Sequence, residues 1–149
     1  MSKIISFDRE AKEKLKGVVL DLRGNPGGLL PEAINVANVF VDKGIEIVST
    51  KGRSEDWNKS YTALNDAVDT KIPMVVLTDG GSASAAEIVS GSLQDLDRAA
   101  IIGQKTFGKG LVQVNRNLPY NTGMKVTVAK YYIPSGRCIQ AINYAEKNS

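Results

Sequence analysis

The chain has 149 residues, 42% of them hydrophobic and 23% charged, with a formal net charge of +3. That length suits one domain with a core of its own, and that composition is the one of an ordinary globular protein. Basic residues are scattered among acids, aromatics do not interleave with them, and no apolar run approaches the roughly 18 residues of a membrane span, so neither a nucleic-acid surface nor a spanning helix is indicated.

In chain order, Met1-Ser2-Lys3-Ile4-Ile5-Ser6-Phe7 lacks the long apolar stretch of a signal peptide, and residues 3–7 read as a short strand. Asp8 to Leu15 reads as a short charged helix. Gly17-Val18-Val19-Leu20-Asp21-Leu22 is a compact apolar run bounded by glycine, the pattern of a buried strand. A glycine-rich loop, Arg23-Gly24-Asn25-Pro26-Gly27-Gly28, follows it. Helical spacing runs through Leu30, Ala33, Ile34, Ala37 and Val41, and Ile45 to Thr50 is the next strand. Residues 51–70 are polar around Trp57 and Tyr61 and read as a long loop or small lid. Ile72 to Leu77 is a buried strand, residues 78–83 a turn, and Ser84 to Leu96 a helix. Ala99–Ile102, Leu111–Val114 and Met124–Tyr132 read as strands, with turns at Pro119–Gly123 and Pro134–Gly136. Strand, glycine loop and helix recur, which predicts an α/β fold with a largely parallel sheet flanked by helices. Ligands sit beyond the carboxyl ends of such strands, where the loops at 23–28 and 78–83 fall.

The chain contains no histidine and a single cysteine, Cys138. A Ser-His-Asp site is therefore impossible within it, and a zinc site and an intrachain disulfide are not expected. Cys138 is assigned to packing in a short strand. A reactive serine would need another base, and Lys109 is the candidate. A free lysine titrates near about 10.4, so a lysine base working near neutral pH needs that value lowered by about 2–3, which burial achieves. Phe107 and Leu111 are expected to build the apolar surround. A solvated loop lysine is the alternative.

The turn Gly80-Gly81-Ser82-Ala83-Ser84-Ala85-Ala86 is built of small residues that let backbone amides approach a ligand. Ser84 at a helix N-terminus has unpaired N–H groups nearby that favour a developing oxyanion. Equally, Ser82 or Ser84 caps the helix, and Ser84 with Glu87 fits a capping box. Both can hold if one serine caps and the other reacts. In the loop at 23–28, Pro26 has no N–H, so Gly27 or Gly28 must be the oxyanion donor, unless the loop is an ordinary strand-to-helix turn. Residues 103–110 nearly match GxxxxGK[ST], but position 110 is Gly and a strand pattern follows, which argues against phosphate binding.

Leu20-Asp21-Leu22-Arg23-Gly24-Asn25-Pro26-Gly27-Gly28, Gly81-Ser82-Ala83-Ser84-Ala85-Ala86-Glu87-Ile88, Thr106-Phe107-Gly108-Lys109-Gly110-Leu111-Val112-Gln113 and Tyr131-Tyr132-Ile133-Pro134-Ser135-Gly136-Arg137-Cys138-Ile139-Gln140 occur in this order. With these four motifs the chain resembles the catalytic core of the carboxyl-terminal processing, or tail-specific, proteases, serine peptidases of the S41 type. The resemblance implies a Clp-protease/crotonase-like core. It implies Ser84 as nucleophile, Lys109 as general base and Gln113 as the residue orienting Lys109. It also implies oxyanion donors from Ala85 and the Gly27–Gly28 pair, and Glu87, Asp95 and Thr106 as supporting polar residues. No cofactor is implied. Its implied substrates are proteins or peptides with exposed apolar C-terminal tails, its implied setting the bacterial cell envelope or periplasm, and a homo-oligomer is compatible with it.

On a helix, Asp95 lies close to three turns after Ser84 and shares its face. Lys109 and Gln113 are neighbours in a helical turn but about 13 Å apart in a strand, and the sequence leaves that choice open. Relative to the family, no PDZ-sized segment is present, the stretch from Phe7 to Gly17 is short, the chain ends at Ser149, and Asp79 stands where asparagine is more common. The chain is thus expected to be a trimmed core, one domain over residues 1–149, that cleaves proteins with a Ser/Lys/Gln site. The alternative from another class is a non-catalytic peptide- or acyl-binding module on the same fold.

Overall fold

The computed structural model describes residues 15–142. The strand expected over residues 3–7 lies outside them, as does the helix from Asp8 apart from Leu15, which is not helical. In chain order the elements are β1 (Val18–Asp21), α1 (Leu30–Asn38), β2 (Glu46–Gly52), a 3-10 turn (Glu55–Trp57), β3 (Lys59–Thr62), β4 (Met74–Thr78), α2 (Ala85–Asp95), β5 (Ala100–Gly103), β6 (Leu111–Leu118) and β7 (Thr122–Tyr132).

Parallel pairing is confined to a sheet of three strands in the order β1-β4-β5, and the other four form an antiparallel sheet in the order β3-β2-β7-β6. The α/β class holds. The antiparallel sheet arises where the chain lacks long crossovers: β2–β3 and β6–β7 are joined by short turns, which permit only antiparallel neighbours. β4 is central, and its apolar residues alternate faces. Met74 and Val76 join Ala33, Ile34 and Ala37 of α1 with Ile88, Val89 and Leu93 of α2 in one core. Leu93 is fully buried, so Leu93→Ala would remove about 2–5 kcal/mol.

Helix α1 starts with proline at its first turn, where the missing N–H loses no bond, and ends at Asn38 rather than reaching Val41. Buried Asn38 accounts for the stop. Its amide donates to the carbonyls of Val41 and Asn65 (3.2 and 2.7 Å), and its oxygen accepts the Asn65 N–H (2.8 Å).

The loop or lid expected over residues 51–70 is in its first half the end of β2, the 3-10 turn and edge strand β3. Thr50 donates to the Trp57 carbonyl at 2.6 Å and the Gly52 N–H donates to Asn58 at 2.9 Å, closing the hairpin. Lys59-Ser60-Tyr61-Thr62 hid its strand because an edge strand tolerates polar residues. Cys138 is exposed in an isolated bridge with Tyr132 and does not pack in a strand. The strand after Lys109 runs to Leu118, with a register shift between Val112 and Gln113.

Candidate functional site

β4 delivers the chain into a tight turn before α2. One oxygen of Asp79, Oδ1, accepts the N–H groups of Gly81 (2.9 Å) and Ser82 (3.1 Å) and also that of Gly24 (2.8 Å) in the other glycine loop. The Gly24 hydrogen bond, followed by those of Gly81 and Ser82, outweighs burial and holds the Asp79 carboxyl below its ordinary range. Ser82 is fully buried. Its hydroxyl donates to the Leu22 carbonyl at 2.7 Å and accepts from the Asp79 N–H at 3.0 Å. Ser82 is therefore a structural staple, which leaves Ser84 as the serine at the head of the helix.

Ser84 has φ 54° and ψ −117°, backbone territory that a residue with a Cβ rarely occupies. Such a conformation costs on the order of 1–3 kcal/mol and persists only where the surroundings impose it. Two neighbours impose it here. Glu87 accepts the Ser84 N–H at 2.8 Å, the reach-back arm of the expected capping box. Gly27, at φ 95°, packs against the same residues: a Cβ on it would lie 2.6 Å from the Ala83 oxygen, 2.7 Å from the Ala85 nitrogen and 2.9 Å from the Ser84 Cβ. The Ala83 N–H donates to the Asn25 carbonyl at 2.9 Å, stitching the glycine loop to the turn.

Within that loop the Gly27 N–H donates to the Asn25 side chain at 2.9 Å. Among the described residues, the N–H groups of Gly28 and Ala85 have no hydrogen-bond partner. Both residues line a cleft of about 420 Å³ whose other walls include Leu20, Leu29, Val36 and Val89. Sequence reasoning left Gly27 and Gly28 equivalent, and the Asn25 side chain distinguishes them.

The loop carrying Lys109 is laid along the head of α2. Gln104 N–H donates to Thr78 and Phe107 N–H to Ser82 (3.0 and 2.9 Å). Glu87, only 4% exposed, then takes Gly108 N–H on Oε1 (2.6 Å) and Lys109 N–H on Oε2 (2.8 Å). Because Oε2 also holds Ser84, the backbone nitrogens of Ser84 and Lys109 lie no farther apart than two hydrogen bonds end to end. Glu87 is more than a capping residue: it joins the two segments. In the sequence it was marked by its place in the capping box and, through the resemblance, as a supporting polar residue, neither of which specified this bridge.

The expected apolar surround of Lys109 is not present. Lys109 is exposed, and Phe107 is 64% exposed. Gly108 and Gly110 on either side are buried, and of Lys109 only the backbone N–H is held, by Glu87, while its side chain stays outside. Gln113 lies in β6 with its amide donating to Thr127 at 3.3 Å, and among the described residues it makes no hydrogen bond with Lys109. Thr106 is half-buried and lines a separate cavity of about 340 Å³ beside Glu87 and Ser90. Asp95 sits at the far end of α2, roughly 16 Å along the axis from Ser84. It accepts from Ser135 N–H (3.0 Å) and pairs with Arg137 (2.5 Å). Sharing a helix face does not bring it to the serine. Burial pushes the Asp95 carboxyl up, but the bonds from Ser135 and Arg137 prevail and hold it below its ordinary value.

Residues 2–146 match the profile of peptidase family S41. The chain is 55% identical over 131 residues to a carboxy-terminal-processing protease of Bartonella bacilliformis, covering 87% of this chain and 30% of that one. It is 40% identical over 137 residues to a chloroplastic C-terminal processing peptidase of Tetradesmus obliquus, covering 92% and 29%. Against the solved structure of a photosystem II D1 C-terminal processing protease the TM-score is 0.77 at 41% identity, covering 85% of this chain and 32% of that one. The chain thus spans about three tenths of the length of these relatives. A serine held on a strained strand-to-helix turn, joined by one carboxylate to a lysine loop, together with these matches, places the chain in peptidase family S41, a family of serine-type peptidases.

Proposed function

We propose that this chain carries the catalytic centre of a serine endopeptidase that cleaves proteins or peptides with exposed apolar C-terminal tails. The observation that carries the reading is the single Glu87 oxygen shared by the N–H groups of Ser84 and Lys109. It ties the serine and lysine segments directly to one another, beside the bonds from Gln104 and Phe107 that lay the lysine loop along α2.

In this reading Lys109 takes the Ser84 proton as Oγ bonds to the scissile carbonyl carbon, and the carbonyl electron pair moves onto oxygen. Ala85 N–H and Gly28 N–H donate to that oxyanion, while Gly27 supplies the close approach and gives its own N–H to Asn25. Collapse expels the amine, which takes the proton from Lys109. Water, deprotonated by Lys109, then cleaves the ester and frees Ser84. Gln113 orients the Lys109 side chain once it leaves Thr127, and Thr106 supports the loop from its inner side. No metal or organic group is needed for these steps. By family resemblance the setting is the bacterial cell envelope. Among the described residues no helix is long and apolar enough to cross a membrane.

The test is cleavage of an unstructured protein, such as casein, and of peptides with apolar C-termini. Fragments formed by the wild-type chain, absent with Ser84→Ala and reduced about 10²- to 10⁴-fold with Lys109→Ala, support the endopeptidase. Binding of the same peptides without cleavage supports the non-catalytic module instead.

A further inference from the structure

Three successive N–H groups around Lys109 are each captured by a side-chain oxygen. Gly108 and Lys109 donate to Glu87, and Gly110 donates to Gln140 Oε1 at 3.0 Å. Two of the three residues are glycines, which have little backbone preference of their own, so these acceptors set the path of the segment. Glu87 holds it from the side of the serine. Gln140 holds it from a different element, a strap formed by residues 133–141.

The strap is tied along its length. Ile133 packs on Gly91 of α2, where an added Cβ would come 3.0 Å from its Cδ1. Ser135 and Arg137 are fixed by Asp95, whose side chain is 5% exposed. Ile139 N–H donates to Tyr131 (3.2 Å), and Ala141 N–H donates to the Gly108 carbonyl (2.9 Å). The fit to the lysine loop is close. A Cβ on Gly110 would lie 2.3 Å from the Gln140 nitrogen, and one on Gly108 would lie 2.4 Å from the Ala141 Cβ.

We propose that Gln140 is a positioning residue for Lys109, and that Asp95 acts on Lys109 from the far end of α2 by fixing the strap that carries Gln140. The inference rests on the Ser84–Lys109 reading above. Neither residue touches the reacting atoms. Gly110 is buried, so its N–H has no water to replace Gln140, and loss of that acceptor frees the backbone next to the base. A shift of about 1 Å at a catalytic group is enough to lower a rate about 10²-fold.

The rate of Ser84 modification by a fluorophosphonate, read by mass spectrometry at fixed pH, tests this. Gln140→Met removes the acceptor at similar volume and lowers the rate about 10- to 100-fold. Gln140→Glu keeps an acceptor oxygen and stays within about threefold of wild type. In a Lys109→Ala background, Gln140→Met and Asp95→Ala change the residual rate by less than about twofold, because each acts only through Lys109. Wild-type rate in Gln140→Met overturns the proposal. So does an equal loss in the Lys109→Ala background, which marks general loosening of the fold. Absence of a Ser84 adduct in the wild-type chain removes the Ser84–Lys109 reading itself, a result distinct from either.

Discussion

Glu87→Gln measures how much of the site rests on one buried carboxylate. The carboxylate accepts three backbone N–H groups, two on Oε2 and one on Oε1. An amide has one acceptor oxygen. Its best orientation puts that oxygen where Oε2 was and turns an NH₂ toward Gly108, a donor facing a donor. The stranded Gly108 N–H costs about 1–3 kcal/mol, and the two remaining bonds lose their charge-assisted share, about 1 kcal/mol each. Relief of the buried charge offsets part of this. The net loss is about 2–4 kcal/mol, a large fraction of the 5–15 kcal/mol that stabilises a typical domain. For a chain of this size that lowers the melting temperature by about 5–15 °C. Circular-dichroism melts and urea unfolding at pH 7 supply the numbers, and Ser84 labelling by a fluorophosphonate should fall with them. A variant that melts within about 2 °C of wild type and labels Ser84 at the same rate would refute the bridging role of Glu87.

Gly27→Ala places a methyl within 2.7 Å of the Ala85 nitrogen at a φ of 95°, so Ser84 labelling should fall by about 10² or more, measured on protein shown by circular dichroism to be folded. Ser84→Gly relieves the positive φ while Ser84→Ala does not, so the glycine variant should be more stable than the alanine variant by about 1 kcal/mol in urea unfolding. Asp79 and Asp95 both titrate below the ordinary value of 3.8 in the folded chain. The unfolded chain therefore binds more protons between the folded and unfolded values, and the stability these groups contribute is complete above 3.8 and is lost as pH falls through their lower folded values. Melting temperature should hold steady down to about pH 5 and drop below about pH 4, with a shallower drop in Asp79→Asn and Asp95→Asn, which keep an acceptor oxygen but do not titrate.

The parts of the fold legible in the sequence are those whose physics is local. Val18–Leu20 and Met74–Leu77 announce themselves as strands by unbroken apolar runs, though β1, read as buried, is an edge strand with Val19 67% exposed; α2 shows its start in the small-residue turn and Glu87. β3 was hidden because an edge strand need not alternate, and its pairing depends on Thr50 and Gly52 far from its own four residues. At the site, the motifs marked Ser84, Lys109 and the glycine pair. The chemistry of the turn alone left Ser82 and Ser84 open, because both are small hydroxyls in one turn; the resemblance singled out Ser84, and burial of Ser82 against Leu22 separates them in the structure. Nor could the motifs predict that Lys109 faces outward, since the path of its loop is set by Glu87 and Gln140, which are distant in sequence. Gln140 stood in a motif with no role attached, because its partner Gly110 lies 30 residues away.

Whether Lys109 activates Ser84 is decided by the site of covalent modification by a fluorophosphonate, mapped by mass spectrometry across about pH 6–11, a range that passes the roughly 10.4 of a free lysine, beside Ser84→Ala and Lys109→Ala. A single adduct on Ser84 is expected, formed faster as pH rises, absent in Ser84→Ala and strongly slowed in Lys109→Ala. A folded wild-type chain that forms no adduct at any pH, or that forms one at the same rate without Lys109, would contradict activation of Ser84 by Lys109.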